Sequence, residues 1–173
     1  MKKLLLSFIF LITTIIAFSQ QETNSNVVVG AERTELYFPF LEGKRIALLS
    51  NQTGMAGNEH LVDLLVRNKF NVVGIFSPEH GFRGTADAGE HVGNSIDEKT
   101  GIPIWSLYGG NGSKPSADKM KEFDILLFDL QDVGLRFYTY YASMARMMDA
   151  CAEVDKSMII LDRPNPNGFY VDG

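Results

Sequence analysis

Val72-Val73-Gly74-Ile75-Phe76-Ser77-Pro78-Glu79-His80-Gly81-Phe82-Arg83-Gly84 sets an apolar run directly against a polar turn. The run has the length and β-branched start of a buried strand, and Pro78, with no N–H to give to a ladder, stops it. An acid, an imidazole and a guanidinium follow within five positions, and Gly81 and Gly84 let the backbone turn sharply there. Titratable groups at the carboxyl end of a strand stand where open α/β sheets place their ligands. A solvated turn with incidental charges is the competing reading, and the rest of the chain decides between them.

Upstream, Ile46-Ala47-Leu48-Leu49-Ser50 is an almost unbroken apolar run, suited to a strand covered on both faces. It ends in the polar turn Asn51-Gln52-Thr53-Gly54. From Asn58 the period changes: Leu61, Leu64, Leu65 and Val66 mark a helix face that ends near Asn68, ahead of the strand Phe70–Phe76. Downstream, residues 84–101 hold few large apolar groups and read as a long loop, of a length that is usually functional or disordered. Ile102–Leu107 is a third strand, with Pro103 near its start and the glycine-rich turn Tyr108-Gly109-Gly110-Asn111-Gly112 after it. Pro115–Glu122 reads as a short helix capped by Ser113 or Ser116.

Phe123–Leu130 is a fourth strand and runs into Gln131-Asp132-Val133-Gly134. Apolar and small residues then recur at helical spacing from Arg136 to Ala152. Ser157–Leu161 is the fifth strand. Strands alternating with helices over such crossovers predict a Rossmann-like parallel sheet with helices on both faces.

The two ends read differently. Lys2 and Lys3 precede an apolar stretch, Leu4–Phe18, and Ala17-Phe18-Ser19 offers small residues where a signal peptidase cuts. Residues 1–19 are therefore expected to be a secretory signal, too short for a membrane span, with a periplasmic or extracellular destination. Residues 20–35 read as a mobile leader, with Val27–Val29 able to dock as a short strand. Residues 36–173 are expected to form the folded domain.

The net charge is −5, or −7 without Lys2 and Lys3, and no basic stripe interrupts it, so nucleic acid and stable membrane insertion are not expected. The lone Cys151 is read as a buried apolar residue.

The polar groups repeat one address. Asn51 and Gln52 follow the first strand, Glu79 and His80 the second, Tyr108 the third, Asp129 and Asp132 the fourth, and Asp162 and Arg163 the fifth. In a parallel sheet all of these converge on one rim. No Walker loop and no Gly-x-Gly-x-x-Gly follows the first strand, and the serines lack a nucleophile elbow. No spacing demands a metal site from His80, His91, Asp129 and Asp132, and no cofactor or metal is expected. A metal-dependent hydrolase using His80 with the aspartates stays as an alternative.

Carboxylates remain. Glycoside cleavage needs an acid for the leaving oxygen and, in most families, a second carboxylate. Glu79 is the better acid, because Phe76, Pro78 and Phe82 are placed to desolvate it. Asp129, Asp132 and Asp162 are open for the second role. Two of them also have a structural reading: Asp129 as a helix cap or a partner for Arg136, Asp162 as a brace for Arg163.

Four blocks in order, Ser50–Gly54, Ser77–Gly84, Phe128–Tyr140 and Leu161–Gly168, resemble the signature blocks of the exo-β-N-acetylmuramidase family, once a domain of unknown function. The resemblance runs from about residue 36 to the last residue. It implies an exported glycoside hydrolase that releases N-acetylmuramic acid from the non-reducing end of peptidoglycan fragments, acting on a muropeptide or disaccharide. It also implies a Rossmann-like catalytic domain followed by a smaller C-terminal one.

Family members are more than twice as long, so the chain is read as incomplete at its C-terminus, and a non-catalytic sugar-binding remnant is the alternative function. On this resemblance Glu79 is catalytic, and His80, Gln131, Asp132 and Asn165 line the cleft. Arg83, Arg136 and Arg163 have the fork that grips a lactyl carboxylate. The 2-acetamido group of such a sugar can itself serve as nucleophile. Trp105, Tyr108 and Tyr138 offer faces for sugar stacking.

Overall fold

Strand β1 (Arg45–Ser50) runs through the middle of the sheet, and its composition explains why. Only Arg45 is exposed, so both faces need cover. Ile46 and Leu48 enter one hydrophobic core, while Ala47 and Leu49 enter the other. The computed structural model describes residues 27–78, 82–83, 95–107 and 114–169. The expected signal, Glu79–Gly81 and the glycine-rich turn at 108–113 lie outside the described residues.

The remaining strands are β2 (Met55–Ala56), β3 (Glu59–His60), β4 (Asn71–Ser77), β5 (Ser95–Ile96), β6 (Pro103–Ser106), β7 (Ile125–Asp129) and β8 (Ser157–Ile160). The main sheet has the order β5-β6-β4-β1-β7-β8, and β2 and β3 form a separate antiparallel ribbon. All pairings from β6 to β8 are parallel, while β5 is an antiparallel edge.

Helices α1 (Thr34–Leu41) and α2 (Leu61–Arg67) cover one face, sending Tyr37, Leu41, Leu61, Leu64 and Leu65 against Ile46, Ile75 and Leu127. Helices α3 (Ala117–Lys121) and α4 (Tyr140–Glu153) cover the other, where Met120, Met147, Ala150 and Cys151 meet Phe76, Leu126 and Phe128. The chain belongs to the expected α/β class, with helices on both faces. Cys151 is buried, as expected.

Several local expectations are corrected. Val27–Val29 do not pair as a strand. Gly30 donates its N–H to the Asp162 carbonyl at 2.8 Å, and the chain then enters a 3-10 turn over Gly30–Glu32. Helix α1 forms despite Pro39, since Tyr37 and Leu41, one turn apart, are buried and Pro39 faces solvent. The helix expected from Asn58 begins at Leu61, because Glu59 and His60 pair with Met55 and Ala56. Helix α4 begins at Tyr140 rather than Arg136, since Leu135 and Tyr138 close a turn with a 2.9 Å hydrogen bond.

Topology fixes where a site can lie. From β1 the chain crosses to β4 on one side; from β6 it returns past β1 to β7 on the other. The strand order therefore reverses between β1 and β7, and the crevice at their carboxyl ends is the usual ligand position in such sheets. Register brings Ser50 level with Asp129 there.

Candidate functional site

Asn51, the first residue beyond β1, is fully committed. Its Oδ1 accepts from the Thr53 N–H at 2.9 Å and the Thr53 hydroxyl at 2.6 Å, a local Asx turn. Its Nδ2 donates to the Tyr140 hydroxyl at 3.0 Å, and its carbonyl faces His60 Nε2 at 2.8 Å. His60 Nδ1 accepts from the Val62 N–H at 3.2 Å and caps α2, so the ring is neutral and Nε2 carries the proton donated to Asn51. Burial pushes this imidazole below its ordinary range, against the bond to Asn51. Gly54 passes close over the same crevice; a β-carbon there would lie 2.1 Å from Ser50 Oγ.

Asp129 ends β7 with no exposed surface, and Arg163 forks onto it through Nε at 2.6 Å and a terminal nitrogen at 2.9 Å. The same guanidinium donates to the Met55 carbonyl at 2.8 Å. One buried pair thus ties β7, the segment after β8 and the β2–β3 ribbon together. Burial pushes the Asp129 carboxyl above its usual range, and Arg163 pulls it back. Asp129 therefore pairs with Arg163, not Arg136, and Arg163 is braced by Asp129 rather than by the exposed Asp162.

The segments after β7 and β8 are further stitched to each other. Gln131 Nε2 donates to the Asp132 and Pro164 carbonyls at 2.6 and 2.9 Å. Asn167 Nδ2 donates to the Val133 carbonyl at 2.7 Å. The Asn165 carboxamide accepts from the Asn167 N–H at 2.9 Å and lies over Gly134, whose φ of +69° and lack of a side chain permit the approach. Asp132 Oδ1 accepts from the Gly134 N–H at 2.7 Å. The Gln131 N–H in turn donates to the Thr53 hydroxyl at 3.2 Å, joining this wall to the turn after β1. Beside it, between α4 and β8, a hollow of about 260 Å³ is lined by Asp132, Tyr140, Tyr141, Met144 and Arg163.

Asn51, Asp129, Gln131, Asp132, Arg163 and Asn165 therefore meet on one rim. Tyr138 joins them through an edge contact with Tyr140, ring centroids 4.7 Å apart. Gln52, Arg136 and Asp162 are exposed. Trp105 is buried against Phe76 and Gly74. Arg83 stands elsewhere, forked onto Asp97 at 2.8 and 2.9 Å and reaching Asp63 of α2 at 3.2 Å. Glu79, His80, His91 and Tyr108 lie outside the described residues. Among the described residues no three His, Cys, Asp or Glu side chains gather as metal ligands.

Thr53, His60, Tyr140 and Asn167 escaped the sequence reading. Only Asn51-Gln52-Thr53 carried a local signal, the Asx-turn spacing.

Residues 46–173 match the family described as Exo-beta-N-acetylmuramidase NamZ, N-terminal. Over 130 residues the chain is 49% identical to the peptidoglycan beta-N-acetylmuramidase NamZ of Bacillus subtilis, an alignment covering 74% of this chain and 31% of that protein. Two crystal structures of DUF1343 family proteins from Bacteroides fragilis NCTC 9343 share the fold. One has a TM-score of 0.73 and 62% identity, covering 84% of this chain and 37% of that one. The other has a TM-score of 0.70 and 40% identity, covering 80% and 35%. The chain spans about a third of the length of these relatives.

Proposed function

The chain belongs to the exo-β-N-acetylmuramidase NamZ family, and from that premise we propose that it serves the hydrolytic release of N-acetylmuramic acid from the non-reducing end of peptidoglycan fragments, with Glu79 as general acid/base. The observation that carries this reading is the polar rim at the carboxyl ends of the strands, into which β4 feeds. Pro78 is buried at the end of β4, and Glu79 is the next residue in the sequence.

In this role Glu79 gives its proton to the leaving glycosidic oxygen, and water supplies the hydroxyl at the sugar's anomeric carbon. Asp129 is closed to the second role, because both its oxygens face Arg163 and it is fully buried. Asp132, half-buried on the rim, and the substrate's own 2-acetamido group are left to fill it.

The arginines sort themselves. Arg163 and Arg83 are forked onto carboxylates of the protein. Arg136 is exposed and has no carboxylate partner among the described residues, so it is the guanidinium offered to the lactyl carboxylate. Residues 36–173 are the Rossmann-like catalytic part in this reading, and the basic-then-apolar start of the sequence supports export to the periplasm or beyond.

Glu79→Gln, made in the polypeptide that carries this sequence, tests the proposal. Release of N-acetylmuramic acid from its β-1,4-disaccharide with N-acetylglucosamine is expected to fall at least about a hundredfold. Binding of the disaccharide, followed by calorimetry, is expected to persist. A variant that still releases the sugar at the wild-type rate overturns it.

A further inference from the structure

The two ends of the main sheet are finished differently. Beyond β6 lies β5, two residues long and antiparallel, the kind of short strand that blunts an edge. At the other end β8 pairs with β7 alone among the described residues, in an unbroken parallel register from Ser157 opposite Ile125 to Ile160 opposite Phe128. Leu161, next in line, donates its N–H to the Phe128 carbonyl at 2.9 Å. Backbone groups alternate in direction along a strand, so the N–H and C=O of Met158 and Ile160 point away from β7. Gly30 takes the next outward carbonyl, that of Asp162, at 2.8 Å and leaves the strand itself open.

This edge is unguarded. Ser157-Met158-Ile159-Ile160 holds no charge, proline or bulge, the usual protections. Lys156, one residue earlier, turns its Nζ to the Phe123 carbonyl instead. Hollows flank the strand on both faces. On the α1 face, one of about 350 Å³ is bounded by Leu36, Phe40, Ser157 and Ile159, and one of about 530 Å³ by Val28, Leu36, Ile159 and Ile160. On the α4 face, the hollow of about 260 Å³ reaches Tyr141, Met144 and Ile160. Leu36, Phe40, Tyr141 and Ile160 are all exposed. Side chains alternating along one more strand would enter the hollows of both faces, as those of β1 enter both cores.

Strand order gives the direction of that strand. Numbered along the chain, the parallel strands β6-β4-β1-β7-β8 stand as 3-2-1-4-5, and doubly wound sheets of this order carry a sixth parallel strand beside the fifth. The relatives offer a source. This chain matches 31%, 37% and 35% of their lengths, and the family region it matches is the N-terminal one.

We propose that the outer edge of β8 seats a sixth parallel strand, apolar on both faces, contributed by the part of the family polypeptide outside the region matched here. The role of Glu79 does not enter into it.

Two forms test it: the chain as it stands, and the chain joined to the part of the Bacteroides fragilis relative of 62% identity that lies outside the match. Hydrogen exchange is followed amide by amide. In the joined form the Met158 and Ile160 amides are expected to exchange at least about tenfold more slowly than in the chain alone. Ile160→Lys, a charge on the edge, is expected to lower the melting temperature of the joined form by at least about 3 °C and to leave that of the chain alone nearly unchanged. Val66→Lys, at a comparably exposed position on α2, should lower neither.

Equal exchange at Met158 and Ile160 in the two forms would overturn the proposal. So would protection of these amides that rises with the concentration of the chain alone, which would make the occupant a second copy. An Ile160→Lys joined form that melts like its parent would overturn it as well.

Discussion

Replacing Arg163 with glutamine takes the cation away from a carboxylate with no exposed surface. Asp129 is 0% exposed and the Arg163 side chain 7%, so solvent cannot replace the lost partner. Two unit charges about 4 Å apart at an effective dielectric of 20 attract by about 4 kcal/mol. Breaking one side of a buried pair typically costs about 3–5 kcal/mol. The Met55 carbonyl also loses its donor. For a chain of this size the melting temperature should fall by roughly 6–20 °C.

The loss should depend on pH. Burial raises the Asp129 carboxyl and Arg163 opposes it, so removing Arg163 raises the folded-state pKa further. A carboxyl with a raised folded pKa binds more protons folded than unfolded; its stability is greatest at low pH and is lost as pH rises from the ordinary carboxylate range through the folded pKa. Urea melts should therefore show a larger deficit for Arg163→Gln at pH 7.5 than at pH 5. Adding Asp129→Asn should recover most of the deficit, because the uncompensated charge is gone. A loss under about 1 kcal/mol at pH 7.5, the size of an exposed pair, would refute the reasoning. A double variant no more stable than Arg163→Gln would do the same.

Two further outcomes follow from burial. His60 is lowered below the ordinary imidazole range by burial, so the unfolded chain binds more protons as pH falls through that range; stability should drop there in urea melts, and His60→Gln should flatten the profile. Gly74→Ala would put a β-carbon 2.2 Å from the Trp105 ring, overpacking worth about 1–3 kcal/mol. Since Trp105 is the single tryptophan, its fluorescence maximum should shift in the folded variant, and an unchanged spectrum with unchanged stability would show that the ring moves freely aside.

Strands β1, β4, β6, β7 and β8 were legible because each is a short apolar run bounded by a proline, a glycine or a polar turn; β1 and β7, buried on both faces, have no other composition open to them. The β2–β3 ribbon was not. Two-residue strands carry no period, and Met55 pairs with His60 only because Gly57 adopts φ +60° between them. The start of α4 was misplaced for a similar reason, since Tyr138 fits a helical stripe whether or not Leu135–Tyr138 first closes a turn.

The sequence alone determined the alternation of strands and helices, and with it the rim on which polar residues would collect, because apolar period and chain breakers are local properties. It also carried the four blocks whose resemblance pointed to the family that residues 46–173 match. What it left open was the division of labour among those polar residues. Asp129, Arg83 and Arg163 have side chains as fit for a sugar as for each other. Only the folded chain sets Arg163 against Asp129 across 34 positions and Arg83 against Asp97 and Asp63 across 14 and 20. A buried charge must find its partner in space, and sequence distance places no limit on where that partner lies.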